Sequence, residues 1–188
     1  MTDGMTDEIF EEGITETIVT TLSAAGVPNA APMGVIKRGE SLFIRMYPGS
    51  RTYANVKETG HLVANIVTDP VLFVTTAFED LENSYYLPQQ DMPPVIKDAY
   101  AWAYFKADVQ GTVKLSTVCS KILKTRVPRF SRGFASVIDA TITGTRLSIL
   151  GQPGKSRILD DDILVRKCGT PRDIEAMDRL KKLLGLSA

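Results

Sequence analysis

The sequence predicts a β-rich domain over residues 13–129 and an α-helical appendage over residues 130–188, preceded by a flexible arm of residues 1–12. Three observations carry this reading. The early chain is a series of β-branched or alternating segments separated by Gly and Pro. A short helix opened by Ser50 then runs directly into an apolar strand beginning at His61. From Ser131 onward, alternation gives way to helical spacing.

Ile14–Leu22 is rich in Ile, Val and Thr, and Ser23–Asn29 carries Gly26 and Pro28 as turn residues. Ala30–Lys37 resumes as a strand and Arg38-Gly39-Glu40 turns it. Ser41–Met46 returns, with Leu42, Ile44 and Met46 alternating against Phe43 and Arg45. After the Ser50 helix, His61–Val67 is a buried strand. Asp69–Phe78 reads as a short helix because Pro follows its first residue. Glu79–Pro94 reads as a long mixed loop, and loops of this length inside a domain are commonly functional or disordered. Asp98–Val113 alternates, with Tyr100, Trp102 and Tyr104 on one face and Ala101, Ala103, Phe105 and Ala107 on the other. Lys114–Arg126 continues as one more strand.

In the appendage, Phe134, Ile138, Ile142 and Ile149 recur at helical spacing, and Gly151-Gln152-Pro153-Gly154 breaks that helix. A second helix spans about Arg157–Lys167 and stops at Gly169. Thr170-Pro171-Arg172-Asp173 opens a third with the signature of a capping box. Ile174, Met177, Leu180, Leu183 and Leu184 form its apolar stripe.

Composition narrows the functional classes. The 188 residues hold 22 basic and 22 acidic side chains, which leaves no electrostatic case for nucleic acid or a membrane surface. No apolar run approaches the ~20 residues of a spanning helix. The acidic, polar N-terminus has the wrong chemistry for a signal peptide, so a cytoplasmic location is expected. The chain has one histidine and two well-separated cysteines, too little for a His-based zinc site or a Cys–His nucleophile pair. His61 reads as a structural imidazole, and Cys119 and Cys168 as packing residues.

The segment with chemical content is Pro48–Asp69. Ser50, Arg51 and Thr52 combine two hydroxyls, a guanidinium and the free N–H groups of a helix start, a set suited to an anion. On local features the same residues also read as an ordinary Ser cap beside a solvated Arg.

Gly26-Val27-Pro28-Asn29-Ala30-Ala31-Pro32-Met33-Gly34, then Ser50–Val56, then Val63–Pro70, resembles the FMN-binding split-barrel flavoproteins. That group includes flavin reductases and pyridoxamine-phosphate-oxidase-like proteins. With Phe130–Ala140 and Thr145-Arg146-Leu147 added, the pattern is most similar to domain of unknown function 447, of archaea and methylotrophic bacteria. The resemblance implies an FMN-binding split β-barrel with a C-terminal three-helix appendage. It implies a homodimer with FMN at the subunit interface, for which the Tyr100, Trp102 and Tyr104 stripe is a candidate surface.

It also assigns roles. Ser50, Arg51 and Thr52 would hold the phosphate, and Asn55 the ribityl chain or the loop. Pro32, Met33, Gly34 and Val35 would run beside the isoalloxazine, with Gly34 allowing close approach. Asn65, Ile66 and Val67 would add backbone contacts. Arg129 and Arg132 are further candidates for phosphate or substrate. The implied activity is an FMN-dependent oxidoreductase using NAD(P)H or another hydride carrier on a small conjugated substrate. Occurrence in methanogens and methylotrophs associates it with pterin-linked one-carbon metabolism. Two other readings stay open: a non-catalytic FMN carrier or sensor, and a split barrel that takes deazaflavin or haem.

Overall fold

The computed structural model describes residues 4–109, 111–124 and 131–186. The chain divides into two compact units. One comprises Met1–Thr68 with Asp80–Arg126, the other Asp69–Glu79 with Val127–Ala188. Where the sequence suggests one cut after residue 129, the segment 69–79 also belongs with the helices.

The first unit is a closed barrel of six antiparallel strands. They are β1 (Gly13–Leu22), β2 (Pro28–Arg38), β3 (Ser41–Ile44), β4 (His61–Ile66), β7 (Ala101–Asp108) and β8 (Val113–Ile122), ordered β1-β2-β3-β8-β7-β4. Alternation sets its two faces. Val19, Val35, Leu42, Ile44, Leu62, Ala64, Ala103, Phe105, Val113 and Leu115 point inward to one core. On β7 the small Ala101 and Ala103 lie inside, as the sequence predicts, and a bulge on β8 at Tyr104/Phe105 shifts the register. Helix α2 (Arg51–Thr59) contributes Val56 to the same core.

The N-terminal arm differs from expectation. Residues Gly4–Ile9 form a short helix, α1, and Phe10 is fully buried in the barrel core, 5.9 Å from the Phe105 ring. Thr6 is buried and its hydroxyl bonds Ser120 at 3.2 Å. A polar, acidic run hid a single large apolar side chain, whose burial outweighs the low local propensity.

The 79–94 segment is also more ordered than a loop. After a short 3₁₀ turn at Asn83–Tyr85, β5 (Tyr86–Leu87) pairs with β6 (Val95–Ile96). The pair is tied to the outer face of the barrel by three polar bonds. Thr20 Oγ1 donates to the Pro94 carbonyl at 2.5 Å, and Ile96 N–H donates to Asn65 Oδ1 at 2.9 Å. The Tyr104 hydroxyl reaches the Asp91 carbonyl at 3.5 Å and His61 Nδ1 at 2.9 Å. Val63, Val95 and Tyr104 cluster here with Trp102, Met92 and Cys119. Of the three aromatics in the candidate dimer stripe, Tyr104 is therefore buried against the chain's own 91–96 segment, and Trp102 is half-buried beside that cluster.

In the second unit, α3 (Pro70–Phe78), α4 (Arg132–Gly144), α5 (Leu147–Cys168) and α6 (Pro171–Leu183) enclose a core that includes Val74, Val137, Ala140, Ile158, Val165, Met177 and Leu180. The predicted helix from Ser131 to Ile149 ends earlier, at Gly144. Its last turn tightens through Thr145 N–H to the Thr141 carbonyl and Arg146 N–H to the Thr143 carbonyl. The expected break at Gly151 is a kink within α5 (φ 56°, ψ −136°), after which the helix resumes with Pro153 in its first turn. The buried face of α4 is also not the expected one. Gly133, Ser136, Val137, Ala140 and Thr141 are buried, whereas Phe134, Ile138 and Ile142 are half-buried flanks and Ile149 is 85 % exposed. Small residues let the backbones approach: a Cβ on Gly133 would lie 2.4 Å from Gly169 Cα. The capping box of Thr170 and Asp173 is present on α6. No helix among the described residues is long and apolar enough to cross a membrane.

Candidate functional site

The closed cycle of strands leaves one edge of β2 uncovered along half its length. Strand β1 pairs with all of it, from Pro28 to Arg38, but β3 pairs only with Val35–Arg38. Over residues 28–34 no described strand covers the other edge of β2. After Ile44 the chain leaves the sheet and enters α2.

Strand geometry fixes which groups face that opening. Gly39-Glu40 is a two-residue turn, so Arg38 and Ser41 are a bonded pair and even-numbered residues of β2 aim N–H and C=O at the β3 side. The prolines agree. β1 stays in register past Pro28 and Pro32, so their missing N–H groups fall on the open side, the one place a strand tolerates them. The open edge therefore offers N–H groups at Ala30 and Gly34 and carbonyls at Ala30, Pro32 and Gly34.

This sorts the residues expected beside the ring. Pro32 and Gly34 present backbone to the opening. Met33 and Val35 turn theirs toward β1, where the Met33 carbonyl accepts from Thr17 Oγ1 at 2.8 Å, and their side chains meet the core. Gly34 has a second reason to be glycine. A Cβ there would lie 2.6 Å from Ile14 Cγ2, on the outer face of the sheet.

The start of α2 stands beside this edge. Ser50 caps the helix, its Oγ accepting from Tyr53 N–H at 3.1 Å, and Gly60 ends it in the left-handed conformation (φ 72°). Asn29 Nδ2 donates to Thr52 Oγ1 at 3.0 Å, joining the first turn of α2 to the beginning of β2. Asn55 Nδ2 donates to Thr21 Oγ1 at 2.9 Å one turn later. Thr52 and Asn55 are buried and face the barrel, whereas Arg51 is exposed and paired with Asp80. Asp80 also acts on Tyr86: burial, then the Asp80 charge, push that phenol up to about 12, partly offset by Arg51. From Asn29 to Pro32 or Gly34 is three to five residues, roughly 10–16 Å along the strand.

Asn65, Ile66 and Val67 are not brought to the open edge. Asn65 and Pro32 flank Ile18 from opposite sides of β1. Asn65 is fully buried, donating to the Ile18 carbonyl at 2.9 Å and accepting from Ile96 N–H, and the Ile66 carbonyl accepts from Tyr100 N–H. Arg132 is exposed at the start of α4, and Arg129 lies outside the described residues. Asn29, Asp80 and Tyr86 were missed as site residues. Asn29 was readable from its place in the Asn-Ala-Ala-Pro run, but Asp80 and Tyr86 carry no local signal.

An open edge with alternating N–H and C=O groups beside a Ser-capped helix start that carries Arg51 fits a ligand with one anionic end and one hydrogen-bonding end. Residues 15–128 match the N-terminal domain of the protein family of unknown function DUF447, and residues 131–182 match its following part. The chain belongs to the DUF447 family. A solved structure of an FMN-bound member from Methanosarcina mazei is 31 % identical, covers 92 % of this chain and 96 % of its own, and superposes with a TM-score of 0.83. The flavin reductase component of a bacterial two-component tryptophan halogenase is 12 % identical, over 66 % of this chain and 90 % of its own, with a TM-score of 0.50. The DUF447 barrel described above thus has the split-barrel fold of flavin reductases, followed by a helical region.

Proposed function

We propose that this protein binds FMN along the open edge of β2 and works as an FMN-dependent oxidoreductase on a small conjugated substrate. The hydride source is NAD(P)H or a similar carrier, and the working unit is a homodimer with two equivalent sites. The observation that carries the reading is the junction of the uncovered β2 edge with the Ser50-capped start of α2. The same family includes an FMN-bound member at 31 % identity.

In this reading Arg51 clamps the phosphate, aided by the N–H groups of the first helical turn. Gly34 N–H and the Pro32 carbonyl meet the polar edge of the ring system. Thr52 and Asn55 hold α2 against Asn29 and Thr21, so that both ends of the site are fixed by one set of buried bonds. Bound FMN supplies hydride-transfer chemistry, while the protein sets its orientation and access.

The test is an absorbance spectrum of the purified protein, its mass in solution, and the response to NAD(P)H. Flavin bands that bleach on NAD(P)H addition, in a dimer, support the proposal. Colour that does not bleach with any hydride donor favours a carrier. A protein that neither carries nor takes up FMN refutes the reading, and deazaflavin or haem bands would replace the ligand.

A further inference from the structure

The barrel unit has a second concave feature, which adjoins the β2 edge only at Pro28. A cavity of ≈310 Å³ lies between the β1–β2 turn and the 83–94 segment. Its floor is Tyr86 and Pro94, both buried, and its walls are Leu22, Pro28 and Met92. Asn83 and Gln89 stand at the exposed rim. None of the residues assigned above to phosphate or ring lines it.

Its chemistry is selective. No lining residue is Asp, Glu, Lys, Arg or His, so nothing there balances a charged ligand. The one titratable group is the Tyr86 phenol, which stays neutral across ordinary pH. Two amides and one phenol give a few hydrogen-bonding positions on an otherwise apolar surface, the usual make-up of a small-molecule pocket. Size adds a limit. The volume is about twice the ~150 Å³ that accommodates benzene in an apolar cavity.

The cavity is also built rather than incidental. Its floor is fixed by the Thr20–Pro94 and Asn65–Ile96 bonds, the β5–β6 ladder and the Tyr104–Asp91 contact. Two of these consume buried polar side chains, Thr20 and Asn65, to seat a surface segment. A preformed floor lowers the ordering cost of binding.

We infer that this cavity is a binding site for a small neutral compound, mainly apolar with a hydrogen-bonding edge, its apolar part against Pro28 and Met92 and its polar edge toward Asn83 and Gln89. The site does not depend on flavin. Asp80, whose charge acts on Tyr86, also pairs with Arg51.

Carbostyril, a neutral bicyclic lactam, is a suitable probe, with naphthalenesulfonate as a charged bicycle of similar size. Protein as purified is labelled with ¹³C at the six methionine methyls, and Met92 is assigned with Met92→Leu. Carbostyril should shift the Met92 methyl saturably and leave most of the others in place, and naphthalenesulfonate should not. Leu22→Phe, which fills the cavity, should raise the carbostyril Kd at least tenfold. The inference is overturned if Met92 does not respond up to millimolar carbostyril, if the sulfonate binds equally well, or if folded Leu22→Phe binds as wild type. If Leu22→Phe fails to fold, the wild-type shift pattern and the sulfonate comparison decide. Flavin absorbance of the same sample is read separately. A yellow protein with a silent Met92 rejects the cavity and keeps the FMN proposal, and the converse result does the opposite.

Discussion

In the barrel unit, Asn55, Asn65 and Thr20 make bonds to residues 34, 47 and 74 positions away. In the helical unit, Thr141 bonds the Val137 carbonyl four residues back, and Thr170 and Asp173 cap their own helix across three. The first set is buried, as are Thr141 and Asp173 of the second, but the two sets act at different ranges. The barrel's polar groups hold separate segments in register with one another, and those segments carry the candidate site. The helical unit's buried hydroxyls finish local structure, and its long-range polar contacts, Arg172–Asp69 and Arg179–Glu79, are ion pairs exposed to solvent; small residues and an apolar core bring its helices together. Damage to the first set should therefore reach the ligand sites, and damage to the second should be felt only as stability.

The largest effect is expected at Asn65. Asn65→Ala leaves the buried Ile96 N–H without its acceptor and removes the side-chain bond to the Ile18 carbonyl, and should lower stability by roughly 3 kcal/mol in urea unfolding. It should also release the 83–94 segment, read as faster amide exchange at Ile96. A loss of stability with Ile96 still protected would mean that Asn65 only fills space.

Arg51→Ala comes next. It should weaken FMN binding by about 1.5–3 kcal/mol, the range of a charge-assisted bond, with the melting temperature nearly unchanged. Unaltered retention of flavin through dialysis would remove Arg51 from the site.

Gly34→Val separates two reasons for one glycine. Its clash with Ile14 should cost about 1–3 kcal/mol. The double variant Gly34→Val with Ile14→Ala should recover much of that. If flavin binding returns together with stability, Gly34 serves the sheet, and if it stays lost, the backbone at Gly34 serves the ligand.

For the helical unit, Thr170→Ala removes a cap and should cost about 1 kcal/mol. Flavin affinity should not change, and a change would erase the contrast between the units.

The smallest effect is expected from Asp80→Asn. The Arg51–Asp80 pair is exposed on both sides, so breaking it costs little stability. Removing a carboxylate beside an incoming phosphate should tighten FMN about twofold to fivefold, more at low salt. Weaker binding would show instead that Asp80 holds Arg51 in position.

Strands β1, β2 and β4, the Ser50 cap and the Thr170 capping box were legible because each is written in a few adjacent residues. Alternation, a Gly-containing turn, or Thr followed three places on by Asp is enough. The burial of Phe10, the β5–β6 ladder and the Arg51–Asp80–Tyr86 group were not legible, since each depends on a partner dozens of residues away with no period to announce it. The α4 face was misread for a related reason. Helical spacing marks large apolar residues, but close helix packing selects the small ones at Gly133, Ala140 and Gly144. At the candidate site the sequence named strand β2 and four adjacent residues on it. Only the pairing of β3 with the far half of β2 decided that Pro32 and Gly34, rather than their neighbours, face outward.

An uncovered strand is normally an invitation to a second polypeptide, which can add itself to the sheet and begin a fibre. Pro28 and Pro32 alter that invitation. A foreign strand laid along this side would find two of its four expected donors missing, so no continuous ladder can form. A compact ligand needs only the groups at Gly34 and Pro32 and loses nothing. The same two side chains that keep the gap from healing with peptide leave it available to a small molecule.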